Sequence, residues 1–162
     1  MKSLVILAIA VSLSVSAAEL QYPRIKNHGG VAPTPSAAVV PEPGAKVVLD
    51  VTTGETDEGV NRGLARAARF INLYAQAGIE DLEMTLVFHG AATDVAVRDD
   101  EANRALMRQL GEAGVELFVC GQALAHQGYE PGQLLPEVRL ANSAAVVNIN
   151  RQLAGYAYLP IH

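Results

Sequence analysis

Residues 47–51, Val47-Val48-Leu49-Asp50-Val51, decide the fold. The run is apolar and β-branched, with Gly44 ahead of it and Thr52-Thr53-Gly54 behind, the pattern of a short strand buried on both faces. Thr56, Asp57 and Glu58 then offer capping oxygens and negative charge for a helix start. Val60, Leu64, Ala67, Ala68, Ile71 and Ala75 recur at helical spacing up to Gly78. The segment reads as strand, then amphipathic helix.

The unit repeats along the chain. Residues 82–88 read as a second strand, and Asp99, Asp100 and Glu101 open a second helix whose Leu106, Leu110 and Ala113 face inward before Gly114 ends it. Residues 115–119 form a third strand that runs into Cys120-Gly121 and a short helical stretch to Gln127. Residues 138–140 read as a further short strand, Asn142 or Ser143 caps a last helix to Leu153, Gly155 closes it, and residues 156–159 suit a final strand. Strands alternating with helices of this length predict a three-layer α/β fold, a mainly parallel sheet with helices on both faces.

Outward from this domain, over residues 46–162, the composition changes. Residues 19–45 contain five prolines and three glycines, which resist helix and sheet interior alike and read as a linker or arm, loosely ordered or laid along the domain or a neighbouring subunit. Residues 1–18 read as a secretory signal peptide: Lys2 supplies a positive start, residues 4–15 an apolar run, and Ser16-Ala17-Ala18 a cleavage site, with cutting after Ala17 or Ala18. The run is short of the ~20 residues of a spanning helix, so the expectation is a periplasmic or secreted protein with no stable membrane insertion after cleavage.

The mature chain carries a formal charge of −6, from −5 with Lys2 included, and no dense Lys/Arg run, so nucleic acid is not an expected partner. Cys120 is the sole cysteine, which leaves no internal disulfide and no dithiol cycling within one chain. Four histidines without short paired spacing predict no metal, and Gly54 and Gly59 match neither a dinucleotide fingerprint nor a phosphate loop, so no cofactor is expected. Arg62, Arg66 and Arg69 share one side of the first helix, a solvated or subunit-facing surface.

In parallel sheets of this kind, ligands sit beyond the carboxyl ends of the strands. Three loops converge there, 52–55, 89–93 and 120–123, and the predicted cleft residues are Thr53, Gly54, Gly90, Gly121 and Gln122. Cys120 stands where a strand ends and a helix begins, where unpaired backbone N–H groups favour negative charge on sulfur; the alternative is a cysteine that fills core space beside Phe118 and Val119. His89, on a neighbouring strand end, is the candidate base or partner for the thiolate; the alternative is a turn histidine bonded to backbone.

Residues 115–124, Val-Glu-Leu-Phe-Val-Cys-Gly-Gln-Ala-Leu, resemble the cysteine-bearing segment of the DsrE/DsrF-like family. The ending Gly155-Tyr156-Ala157-Tyr158-Leu159-Pro160-Ile161, the pair Ser143-Ala144 and the turn Phe88-His89-Gly90 are similar too. The resemblance implies a three-layer α/β fold, a homo-oligomer built as a trimer or hexamer, and a cysteine, matched by Cys120, that carries sulfur as a persulfide between a donor and an acceptor protein. Together with the leader at residues 1–18, the resemblance implies an exported, sulfurtransferase-like carrier. The alternative is a non-catalytic oligomeric module, binding a small ligand or a protein, with Cys120 buried.

Overall fold

The computed structural model describes residues 19–162, so the predicted signal peptide lies outside the described residues. Five strands build the main sheet: β1 (Lys46–Val51), β4 (Glu83–Phe88), β5 (Glu116–Cys120), β6 (Arg139–Ala141) and β7 (Ala157–Ile161). They run in the order β6-β5-β4-β1-β7 and every neighbouring pair is parallel. The two central apolar runs became the strands buried on both faces, and the short terminal ones became edges. Parallel strands need crossovers, which α1 (Arg62–Gln76), α2 (Glu101–Glu112), the short α3 (Gly121–His126) and α4 (Ala144–Leu153) supply.

Alternation along the strands separates two cores. Leu49 and Val51 of β1, Leu86 and Phe88 of β4 and Val119 of β5 pack against Leu64, Ala68, Leu106 and Leu110 of α1 and α2. Val48, Val87 and Cys120 point the opposite way and meet Ala144 of α4. The last crossover, from β6 to β7, returns across the whole sheet and lays α4 over that second face, where Ala123 of α3 also packs. Its outward residues Val146, Ile149 and Leu153 remain exposed.

The first helix begins later than the sequence pattern suggests. Thr56–Asp57 (β2) and Val60–Asn61 (β3) pair antiparallel, joined by Glu58 and Gly59 with φ of 56° and 79°. Two successive left-handed residues make a tight hairpin turn, which interrupts any helix there. The cap is Asn61, whose side chain accepts from the Gly63 N–H at 2.9 Å, not Thr56 or Asp57. Val60, read as part of the helix stripe, is buried from the hairpin instead.

Residues 20–31 are not loosely ordered. Ile25 and Val31 are buried, and the fully buried Asn72 of α1 receives the Arg24 and Ile25 N–H groups at 3.0 and 2.8 Å. Its amide donates to the carbonyls of Ile25, His28 and Gly29. The Gly29 N–H reaches Glu58 at 2.7 Å, so the arm is tied to both the helix and the hairpin. Farther along, Val39 and Val40 are exposed.

Candidate functional site

The carboxyl ends of β5, β4, β1 and β7 lie side by side because Val119, Phe88, Val51 and Ile161 are register partners across the sheet. One residue further stand Cys120, which packs with Ala144 of α4, the half-buried His89 and Thr52, and the exposed His162. Phe88 and Val51 face the α1–α2 core, so alternation turns their successors the other way.

Cys120 is the N-cap of α3, and its Sγ accepts the Ala123 N–H at 3.5 Å. The residue is 7% exposed. It can sit so close to the edge strand because the next residue is Gly121, where a Cβ would lie 2.8 Å from the Ala141 carbonyl oxygen. The Gln122 amide donates to the Asn142 carbonyl at 3.3 Å, which fastens the start of α3 to the end of β6.

His89 continues β4 in extended conformation and places Nε2 2.9 Å from Oδ1 of Asp50. Asp50 is the charged residue inside the apolar run of β1 and is buried. Its other oxygen, Oδ2, accepts the Tyr158 hydroxyl at 2.6 Å. Burial alone would push the Asp50 carboxyl up, but hydrogen bonds from His89, Tyr158 and Asn148 outweigh it and bring it to about 2. The His89 imidazole is raised by its hydrogen bond to Asp50 and by that charge, against the opposing effect of burial. Tyr158 is raised to about 12 by the hydrogen bond to Asp50, burial and the carboxylate charge. A histidine–carboxylate pair thus spans the ends of β4 and β1, with His89 following the strand next to that of Cys120. Beyond it, Thr52 Oγ1 lies 3.0 Å from Nδ1 of His162.

A separate cleft of about 230 Å³ opens on the other side of the strand ends, with Gly54, Ala91, Asp94, Arg98 and Asn103 in its wall. Of the predicted cleft residues, only Gly54 lines it. Thr53 braces its own loop by accepting from the Glu55 N–H, and the Gly90 carbonyl accepts from Gln127 at 2.6 Å. Gly121 and Gln122 belong to the Cys120 corner. The three predicted loops are therefore neighbours, but they serve two faces. Arg62 is engaged by Glu55 and by the His162 carbonyl, and Arg69 by Glu58. Among the described residues, no group of three or more His, Cys, Asp or Glu side chains is arranged to hold a metal ion.

Sequence reading passed over Asp50 and Tyr158. The signal for Asp50 was present, a carboxylate in a strand buried on both faces, where an unpaired charge is prohibitively costly. Nothing in the sequence pointed to its partners, 39 and 108 residues away.

A parallel five-stranded sheet with helices on both faces defines an α/β class of domain, and the chain is a member of the DsrE/DsrF-like family, whose model matches residues 46–161. The chain is similar to the protein of unknown function MTH1491 from Methanobacterium thermoautotrophicum, at 26% identity and a TM-score of 0.59, covering 72% of this chain and 99% of that one. The YchN protein of E. coli shares the fold at 15% identity and a TM-score of 0.55, with the same coverage of 72% and 99%. No curated protein matches the sequence.

Proposed function

We propose that this protein is an exported sulfur carrier in which Cys120 accepts and passes on a sulfur atom as a persulfide. The observation that supports it most is the position of Cys120 in a row with His89, whose ring is held by the buried Asp50 and raised by that hydrogen bond. The Ala123 N–H donates to Sγ at 3.5 Å, and the thiolate is the nucleophilic form of sulfur. The thiolate attacks the terminal sulfur of a donor persulfide, R–S–SH. The donor S–S bond breaks as the new one forms, Cys120 becomes Cys–S–SH, and the donor leaves as R–S⁻. An acceptor thiolate reverses the step, so no oxidant is consumed and no second cysteine is required.

Export rests on the leader-like residues 1–18; among the described residues no helix is long and apolar enough to cross a membrane. The same reading includes a homo-oligomer, a trimer or hexamer, for which the exposed Val146, Ile149 and Leu153 of α4 are suitable contact residues. The second reading, a binding module with an inert cysteine, is favoured by the 7% exposure of Cys120.

Incubation of the reduced full chain with a low-molecular-weight persulfide, followed by intact mass measurement, separates the two. A carrier gains one sulfur atom, loses it to reductant, and gains none as Cys120→Ser. A wild-type mass that never changes supports the binding module.

A further inference from the structure

We infer that Asp50 and Tyr158 are positioning residues for the thiol chemistry: from β1 and β7 they hold the His89 ring by Nε2 beside Cys120. The inference rests on the carrier reading for its purpose, but its physical content concerns three side chains joined by two hydrogen bonds.

A buried carboxylate must be paired, and Asp50 is served at both oxygens, by His89 at 2.9 Å and by Tyr158 at 2.6 Å. The Tyr158 donor stops the carboxylate from turning, and the fixed carboxylate in turn fixes the ring. Because Nε2 is committed to Asp50, Nδ1 is the nitrogen left for exchange with solvent or with the sulfur. The surroundings contain little else that competes. From β5 the group beside His89 is Cys120, from β1 Asp50, and from β7 Tyr158, with His162 past its end against Thr52. From α4 the facing polar residue is the uncharged Asn148. Arg151 of α4 is engaged with Glu116 and Tyr156, at the amino end of the sheet. The His89 ring is therefore governed chiefly by its hydrogen bond to Asp50, and the reactivity of Cys120 should report it.

The test follows two quantities in the folded full chain: the His89 ring titration by NMR, and the alkylation rate of Cys120 by iodoacetamide against pH. In wild type the ring should titrate above 6.5, its ordinary value. In Asp50→Asn the ring midpoint should fall, and alkylation at neutral pH should slow about three- to tenfold. In His89→Gln, adding Asp50→Asn should change the alkylation rate no further. A merely structural Asp50 would leave the ring midpoint and the alkylation rate where they are.

Should Asp50→Asn not fold, Tyr158→Phe provides the same decision. Loss of the donor to Oδ2 should raise the Asp50 carboxyl midpoint from about 2, read by carbon-13 NMR, and move the His89 midpoint with it. An unmoved ring midpoint in a folded variant, or a moved one that leaves the Cys120 profile unchanged, overturns the inference. The carrier reading fails separately: coupled profiles in a protein that takes up no sulfur refute the carrier and leave the positioning intact.

Discussion

His89 Nε2 and Asp50 Oδ1 stand 2.9 Å apart under α4, and each group shifts the other in the opposite direction, the carboxyl down and the imidazole up. The carboxyl is depressed from 3.8 to about 2, so its stabilising contribution is complete above 3.8 and is lost as pH falls toward about 2. The imidazole is raised above 6.5, so its contribution is complete below that value and is lost as pH rises through its folded value. Stability should therefore be greatest between about 4 and 6.5 and fall on both flanks, by on the order of 1–2 kcal/mol on the acid side. Denaturant midpoints across this range check it; Asp50→Asn should flatten both flanks.

Asn72 fastens the arm with five hydrogen bonds to backbone groups of residues 24–29. Replacement by Ala leaves those buried groups unpaired and should cost about 2–4 kcal/mol, the upper part of the range for single substitutions. Hydrogen exchange should then show residues 20–31 exchanging as a free segment. Retained protection in Asn72→Ala would mean that the burial of Ile25 and Val31 suffices to dock the arm.

The arm and the hairpin show where sequence reading stopped. Parallel strands were legible because β1 and β4 are apolar on both faces, a pattern that half-buried strands do not give. The start of α1 was not legible because Val60 falls at helical spacing with Leu64, while the hairpin turns on Glu58, a residue that rarely takes a left-handed conformation. Asn72 is an unremarkable polar residue in a helix, and what it binds is main chain, whose position carries no side-chain signature. The Cys120 corner was legible from local order alone; the Asp50–Tyr158 bond depends on β7 returning beside β1, which composition does not specify.

Gly59 has open space where a Cβ would be, so its requirement is conformational. With φ at 79°, Gly59→Ala should cost about 1 kcal/mol from backbone alone. Thermal unfolding should register this loss, while the Cys120 alkylation rate, set on the opposite face, stays the same.

Gly121 presents the reverse case, a crowded position with ordinary backbone. A methyl group 2.8 Å from the Ala141 carbonyl forces α3 away from β6, at about 1–3 kcal/mol. Gly121→Ala should therefore disturb the Ala123 N–H to Sγ contact and change the Cys120 alkylation rate, in contrast to Gly59→Ala. Equal rates in the two variants would show that the corner geometry does not govern the thiol.

The central claim concerns one sulfur atom. Protein isolated without reductant from its own compartment, analysed by intact mass and by peptide mapping, should carry an additional sulfur on Cys120 in a fraction of molecules, removable by reductant. A free thiol throughout, on a Cys120 that resists alkylation until the protein is unfolded, would contradict the carrier account.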